Sequence, residues 1–518
     1  MRARMRNFRM LLLVQALWIF NAPPAHAASD LPSSRAITIR QCVEIALRNN
    51  IDIAVARAEK EIGEAGVPIE EAAFLPRFTG DLGTSRSIAP SGSVLDGSLA
   101  LDQRVFNLDI GARELLRGGT ALSLAFENRR QETSTSIALL SPEYLTALTL
   151  SAQQPLLKNR GRQVTEGPYL IARAGAAAKT AEWSGRVMDS VASTRYAFLS
   201  FLAATREADV RKSAVDLADR LMAETDARID AGAAAPMDRL PAEAAAASRK
   251  EEWIRAEAAA RAAADDLKTV LGLRSSSEWM ERLEPVPLQG DASPPGEDET
   301  LEEALRRRPE VAAQAERRKQ AEIQEAVSRN RTLPSLDLTV TGGLSGLAGS
   351  PTLATNPLFP VSSTAFAGNY RDSLDQMLSG RYYNWFVGLK TELPWRFDRE
   401  KAEWARARST LEQQRLLEEG LILKIRAEVR KGRRDLESAL ERISASRASV
   451  AAASKKLEAE EQKLALGKST TIEVLRSQQD LSEARLAEVR AQMDAYAAQT
   501  RLWRAVGVLL DKEGIAIR

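Results

Sequence analysis

The side chains that most enzymes use for catalysis are almost missing from this chain. His26 is the only histidine and Cys42 the only cysteine among 518 residues. His26 lies in a segment that we expect to be cleaved, so the mature chain would have no histidine, and histidine-based triads, histidine general bases and zinc sites of histidine and cysteine are excluded. No disulfide can form within the chain. Carboxylates are the remaining candidates, and we expect no catalytic, cofactor-binding or metal-binding residues.

Residues 1–27 have the pattern of a secretory signal. Four arginines are followed by an apolar stretch over 10–20 and by Ala-His-Ala at 25–27, a small-x-small cleavage site. The stretch is shorter than the ~18 residues of a membrane-spanning helix, so we expect cleavage after Ala27 rather than an anchor. Without the four signal arginines, 68 of the 72 basic residues remain against 70 acidic ones, which gives a net charge of −2. This balance does not indicate nucleic-acid binding, which favours a concentrated basic face.

The chain matches itself at two spacings. Leu75-Pro76 recurs 258 residues later as Leu333-Pro334, whereas Gly232 recurs 235 residues later as Gly467. The difference of 23 residues places extra length in the middle of the first repeat. A unit of roughly 230 residues is far longer than a solenoid repeat of ~20–50 residues. The predicted organisation is a signal at 1–27, a first repeat at 28–272, a linker at 273–300, a second repeat at 301–510 and a tail at 511–518.

Long helices dominate the pattern of both repeats. Apolar or small positions from Leu421 to Ile443 step by 4, 4, 3, 4, 4 and 3, an 11-residue period that keeps a packed seam nearly straight. The segment 399–467 would measure roughly 100 Å at ~1.5 Å per residue. Because only 5% of residues are aromatic, such helices cannot build one compact core. They must pack side by side as coiled coils, within or between chains.

Alternating segments predict β-strands at 335–344 and 382–395, with shorter alternation at 122–126 and 148–150. In the second strand one face is apolar and begins and ends with tryptophan. Ten residues at ~3.3 Å, tilted by ~40°, rise roughly 25 Å, which is the height of the apolar band of an outer-membrane barrel. The residues predicted to form its aromatic girdle are Trp385, Trp395, Tyr382 and Tyr383.

Over about 37–510, the chain resembles the outer-membrane efflux proteins, the TolC-like export ducts. The segments that carry the resemblance are ITIRQCVEIALRNNIDIAVARAE, FLPRF, QQPLLKNRGR and ARIDAGAAAPMDRLPAEA in the first repeat, and LEEALRRRPEVAAQAE, TLPSL, ELPWRFDRE and QKLALGKSTTIEVLRSQQDLSEARL in the second. Their order, which occurs twice, is specific. The resemblance implies a mainly α fold, with long coiled-coil helical hairpins forming a trimeric α-barrel. Each protomer would add four strands to a shared 12-stranded membrane β-barrel.

The resemblance also implies a function and a set of partners. The expected function is a passive outer-membrane channel of a tripartite efflux or type I secretion system, with its helical tunnel in the periplasm and no enzymatic activity. The expected partners are two further copies in a homotrimer, a periplasmic adaptor (membrane fusion) protein, an inner-membrane transporter and outer-membrane lipid. The number of strands is consistent with a homotrimer, since four strands cannot close a barrel alone and open sheet edges are excluded from lipid.

By the same resemblance, Gly232 and Gly467 would lie at the turns of the two helical hairpins, at the periplasmic tip. Adaptor docking is assigned there, with Ala233 and Thr471 beside the glycines. The candidate gate residues are Asp238, Glu473 and Arg476. A ring of three Glu473 would act on permeating ions. An acidic residue after a turn also complements the helix dipole, and both roles can hold together.

Two alternatives belong to other classes of protein. A periplasmic coiled-coil scaffold without a barrel would be extracted as a soluble protein, and the strand bounded by tryptophans argues against it. A secreted hydrolase that uses carboxylates alone, such as a glycosidase, is the second alternative. Its carboxylate pairs would lie on solvated helical faces, and a chain with 5% aromatic residues offers no aromatic-rich sugar cleft.

Overall fold

The structure is a computed structural model that describes residues 34–93, 96–288, 290, 292–294, 296, 300–352 and 366–515. The expected signal at 1–27 and the last three residues of the expected tail lie outside these ranges. Helix accounts for 64% of the residues that the structure describes, which confirms the mainly α expectation. Within the described ranges, no helix combines the length and the apolar character needed to cross a membrane.

The helices occur in the same order in both repeats, a short pair followed by a long hairpin. They are α1 (Ile39–Asn49), α2 (Ile51–Glu71), α3 (Arg162–Thr165), α4 (Gly167–Asp230), α5 (Arg239–Leu271), α6 (Ser276–Met280), α7 (Leu301–Arg307), α8 (Pro309–Arg331), α9 (Tyr370–Leu378), α10 (Asp398–Ala465), α11 (Thr471–Val506) and α12 (Leu509–Lys512).

A cap residue separates α1 from α2, and a proline separates α7 from α8. The Thr38 hydroxyl accepts the N–H of Gln41, whose side chain in turn accepts the N–H of Thr38, so that a capping box begins α1. The Asn50 side chain accepts the N–H of Asp52 at 2.9 Å and begins α2. In the second repeat Pro309 is the first residue of α8, a position where its missing N–H costs no hydrogen bond.

The long hairpins α4–α5 and α10–α11 pack against each other through α4 and α11. At ~1.5 Å per residue, the 68 residues of α10 extend over roughly 100 Å. The predicted 11-residue seam is confirmed, since Ile425, Val429, Leu436 and Ile443 are buried against α11. At Gly432 an added Cβ would lie 3.3 Å from the Cα of Leu502, so the small residue allows the two helices to approach closely.

The strands are β1 (Ser34–Ile37), β2 (Arg77–Pro90), β3 (Ala100–Leu115), β4 (Ala121–Thr133), β5 (Leu140–Pro155), β6 (Arg282–Pro285), β7 (Ser335–Pro351) and β8 (Tyr383–Glu392). Strands β1 and β6 form a small parallel pair. The segment 273–300, expected to be a linker, therefore contains α6 and a strand that ties it to the start of the first repeat. The expected tail likewise begins inside α12.

The other six strands form one antiparallel sheet in the order β2-β3-β4-β5-β7-β8. The sheet thus contains six strands, two more than the four that each protomer is expected to add to the barrel, because the hairpin β3–β4 is inserted in the first repeat. It accounts for the extra length that the two repeat spacings place there. Apolar and polar residues alternate from Phe106 to Ala112, but charged residues such as Asp102, Arg104 and Arg113 flank this short run, so it was not predicted as a strand.

Two strand boundaries also differ from expectation. The strand expected at 335–344 continues to Pro351, and the one expected at 382–395 is β8, which ends at Glu392. Pro394 lacks the N–H that a further ladder bond would need. Trp395 therefore lies beyond the strand, between β8 and α10, with 98% of its surface exposed.

Candidate functional site

The ends of the two long hairpins have the same turn geometry. Gly232 and Gly467 both have φ of +70°, a left-handed conformation that glycine adopts without a Cβ penalty. The N–H of Gly232 bonds to the carbonyl of Ile229, and the next N–H bonds to the carbonyl of Arg228. Gly467 and Lys468 make the equivalent pair of bonds. This is the Schellman arrangement that ends many helices, so both glycines occupy the turns that follow α4 and α10.

The other predicted tip residues surround these turns. Ala233 is exposed in the first turn, and Thr471 begins α11. Asp238 is exposed, and its carboxylate accepts the N–H of Ala235 at 3.1 Å, so it closes a 3₁₀ turn locally. Glu473 is exposed in the first turn of α11, where the helix dipole favours a negative charge. Arg476 is exposed one turn further along the same helix.

Two features of the tip were not predicted from the sequence. Arg228 of the first hairpin donates a hydrogen bond to the main-chain oxygen of Leu464 in the second, at 2.7 Å. Large apolar side chains are also exposed beside both glycines. Their position next to a predicted turn could have indicated this exposed apolar surface from the sequence. They are Met237, Leu240, Leu466 and Ile472, each with more than half of its surface exposed.

The six-stranded sheet has one apolar and one polar face. In register, Leu338 pairs with Leu389 and Val340 with Val387, while Leu124 of β4 pairs with Leu150 of β5 on the same face. These side chains are mostly exposed in the single chain. The opposite face carries hydroxyl and charged groups, and the Ser151 hydroxyl lies 3.2 Å from that of Thr341. Such alternation is typical of a membrane barrel with a polar interior.

Two of the four predicted girdle residues lie on the apolar face. Trp385 pairs with Gly342 and Tyr383 with Leu344, on the same face as Leu389, and both aromatic rings are about 70% exposed. Tyr382 precedes β8, and its carbonyl accepts the N–H of Ser345. Trp385 lies near the start of β8, and Trp395 lies three residues beyond its end.

Helix α9 covers part of the apolar face at the end of the sheet remote from the long helices. Its Tyr370 hydroxyl donates to the Asn128 side chain at 2.7 Å. The Thr146 hydroxyl, fully buried, donates to the carbonyl of Ser373. The helix thus satisfies polar groups of β4 and β5 and leaves the apolar residues below them uncovered.

At the opposite end, Arg117 joins the sheet to the helices. It lies in the turn between β3 and β4 and donates to Glu71 at the end of α2 and to Glu166 at the start of α4, at 2.9 and 2.8 Å. Its guanidinium also lies 5.5 Å from the ring centre of Tyr169. The hydrogen bonds from Arg162 and then Arg117 hold the pKa of Glu166 below its usual range.

Long paired helical hairpins joined to a two-faced antiparallel sheet define a membrane channel with a helical extension. The chain belongs to the outer membrane efflux protein family, whose model matches residues 42–273 and 300–508. It is an outer-membrane efflux channel, with its helical tunnel in the periplasm. Channels of this family are trimers that work with adaptors and inner-membrane pumps.

Solved structures share the fold. The chain is similar to the outer-membrane channel OprN, with 17% identity, a TM-score of 0.64, and 90% of this chain and 89% of that one covered. The CmeC channel of Campylobacter jejuni is 16% identical, with a TM-score of 0.63, and the match covers 91% of this chain and 86% of that one. The outer membrane protein VceC of Vibrio cholerae is 14% identical, with a TM-score of 0.63, and the match covers 90% of this chain and 96% of that one. No curated protein gives a significant match.

Proposed function

We propose that three copies of this chain form a passive duct that receives its cargo from an inner-membrane pump through a periplasmic adaptor. The observation that carries the proposal is the attachment of a sheet with an apolar outer face to helical hairpins roughly 100 Å long. The sheet provides a wall suited to lipid, and the hairpins provide the reach across the periplasm. The duct catalyses no reaction in this proposal.

The need for further copies follows from the sheet edges. Strands β2 and β8 are each paired on one side only among the described strands. Their free main-chain N–H and C=O groups would each cost several kcal/mol in hydrocarbon, where no water is available to bind them. Pairing β8 of one copy with β2 of the next satisfies these groups, and three copies are the number found in the family.

The tip offers a docking surface for the adaptor. Met237 and Leu240 are exposed beside Gly232, and Leu466 and Ile472 beside Gly467. Exposed apolar groups at a helix-hairpin turn favour a partner that covers them. We therefore propose that Gly232, Ala233, Gly467 and Thr471 lie within this contact, since the glycines and small side chains let a partner approach the main chain.

The same tip would hold the gate. Exposed Glu473 of three copies would converge around the channel axis, with Asp238 and Arg476 nearby. Three carboxylates in a narrow passage attract cations and slow anions. This role is compatible with the favourable interaction of Glu473 with the start of α11.

The proposal is tested on the full-length protein expressed with its leader. We expect a mature N-terminus near Ala28, fractionation with outer membranes, a trimeric mass in detergent and ion conductance in planar bilayers. A soluble monomer that conducts no ions would contradict the proposal and favour the periplasmic scaffold. Purification of the trimer with its bound partners would identify the pump and the adaptor.

A further inference from the structure

We infer that the hairpin β3–β4 is part of the membrane wall, so that the closed trimer has 18 strands rather than the expected 12. This inference rests on the trimer proposed above. In this assembly, another copy of this chain pairs with each open sheet edge, at β2 and at β8. Four observations carry it: the hairpin's pairing, its two faces, its anchoring, and the direction of the edge strands.

The hairpin is fully integrated into the sheet. Pairing between β2 and β3 runs from Arg77 opposite Arg113 to Pro90 opposite Ala100. Pairing between β4 and β5 begins at Ala121 opposite Gln153. The hairpin therefore separates β2 from β5 along the whole ladder. If the hairpin were outside the wall, the edges of β2 and β5 that now pair with it would lose their hydrogen bonds.

The two faces of the hairpin continue those of the rest of the sheet. Ile110 lies opposite Phe126, which in turn lies opposite Leu148 of β5, on the apolar face. On the other face, Ser123 lies opposite Ser151. A hairpin placed in water would not need an apolar row in step with the lipid-facing row of its neighbours. A hairpin in lipid does need one.

The turn of the hairpin is fixed at the helical end of the sheet. Arg117 binds Glu71 and Glu166, which lie where the chain enters β2 and where it begins α4. Gly119 takes a φ of +99° in this turn. The turn thus lies level with the points where the neighbouring strands join the helices. This alignment places β3 and β4 at the same membrane depth as the other strands.

The edge strands have the direction that closure needs. Six antiparallel strands make β8 run opposite to β2, so β8 of one copy can pair antiparallel with β2 of the next. With strands ~4.8 Å apart and tilted by ~40°, 12 strands enclose a wall roughly 24 Å across and 18 strands one roughly 36 Å across. The cross-section rises about 2.2-fold by the same geometry. The barrel would then be wide, and the helical tip would set the narrowest passage.

Electron cryomicroscopy of the wild-type protein in lipid nanodiscs tests the inference directly. We expect 18 strands in a section through the membrane midplane. A trimer with 12 strands and the hairpin outside the wall would overturn this inference and leave the proposed function intact. A monomer would overturn both.

A labelling experiment tests the two faces without a high-resolution map. Ile110→Cys and Leu124→Cys place a thiol on the apolar face of the hairpin, and Ser123→Cys places one on the polar face. Leu150→Cys in β5 is the matched reference, and native Cys42 is fully buried. We expect brominated lipids to quench a fluorophore at 110 and 124 as strongly as at 150. We expect a water-soluble maleimide to react faster at 123. Quenching at 150 alone would overturn the inference.

Deletion of residues 100–133 supplies a second variant. It removes β3 and β4 but keeps β2 and β5 antiparallel, joined by the loops that remain. We expect a trimeric barrel about two-thirds as wide as the wild-type barrel. An unchanged barrel width in the folded variant would overturn the inference. If the deletion variant does not fold, the microscopy and labelling experiments on the full-length chain decide the question.

Discussion

The Nη1 atom of Arg228 on α4 lies 2.7 Å from the main-chain oxygen of Leu464 on α10. The bond crosses from one helical hairpin to the other and lies one turn before the two tip glycines. Leu464 has one of the last carbonyls of α10, and this carbonyl also accepts the N–H of Gly467 in the turn. The arginine therefore adds a second hydrogen bond to the same oxygen and ties one hairpin to the other.

Arg228→Gln should loosen the tip. A hydrogen bond from a charged donor contributes ~1.5–3 kcal/mol, and its loss should allow the end of α10 to open more often. We expect faster amide hydrogen exchange at 460–467 and a higher single-channel conductance. Arg255→Gln is the control, because Arg255 binds only Glu251 on its own helix among the contacts described. Equal exchange rates in the two variants would rule out the coupling.

Gly467→Ala should be destabilising, whereas Gly420→Ala should be neutral or stabilising. An added Cβ meets nothing within 4 Å at either position, so only the backbone conformation differs. At φ of +70° an L-residue costs ~1–2 kcal/mol, while replacing a glycine inside a helix contributes ~0.5–1 kcal/mol. Denaturant unfolding of the helical region measures the difference. Similar midpoints for both variants would contradict the turn geometry.

A larger side chain at the same turn tests docking rather than stability. Gly467→Trp places an indole where the proposed adaptor contacts the main chain, so export and adaptor affinity should fall while the barrel stays folded. Gly467→Ala shows how much of the effect comes from the backbone alone. Normal export together with wild-type affinity in the Trp variant would show that the adaptor binds elsewhere.

Leu389→Arg should destabilise the barrel by roughly 2–4 kcal/mol, because the side chain faces the lipid midplane in the proposed assembly. Replacing the neighbouring Lys390 with glutamine should have a small effect, since that side chain points to the polar face. The register supports this contrast, with Leu389 opposite Leu338 and Lys390 opposite Asp337. Refolding into lipid vesicles compares the two variants. If the two substitutions changed stability equally, the assignment of Leu389 to the lipid face and Lys390 to the polar face would be wrong.

Regular patterns were the part of the fold that the sequence predicted well. The α10 seam repeats every 11 residues and is buried where expected, and the tip glycines occupy positive-φ turns that few other residues tolerate. The alternation of β8 also gave its two faces correctly. Its predicted end was wrong because the strand stops at Glu392, three residues before Trp395, and Pro394 lacks the N–H needed to continue the ladder.

Features that depend on distant partners could not be predicted in this way. Strand β3 alternates only from Phe106 to Ala112 and carries charged residues near both ends, and its pairing with β2 and β4 shows its full length. The partner of Arg228 lies 236 positions away. The role of Arg117 likewise depends on two carboxylates from separate helices. Each of these contacts is specified by the fold rather than by local periodicity.

Glu473→Lys should change ion permeation and leave the fold intact. The side chain is exposed at the proposed constriction, and reversal in three copies would replace three negative charges with three positive ones. We expect lower cation selectivity and altered conductance in planar bilayers, with unchanged trimer stability apart from a loss of ~0.3–1 kcal/mol at the start of α11. Asp238→Lys on the other hairpin shows whether the effect is specific to one ring. Unchanged selectivity would exclude Glu473 from the gate.

Acid should weaken the junction between the sheet and the helices through Glu166. Its pKa is lowered in the folded protein, chiefly by Arg162 and then by Arg117. The ionised carboxylate therefore contributes stability that is fully present above its ordinary pKa of ~4.5 and is lost as the pH falls through the lower, folded value. Glu166→Gln should reduce the loss of unfolding free energy between pH 7 and pH 3, as measured by denaturant titration. Glu302→Gln, at an exposed carboxylate in the first turn of α7, controls for the loss of one charge. If both variants keep the acid dependence of the wild type, this carboxylate does not contribute to it.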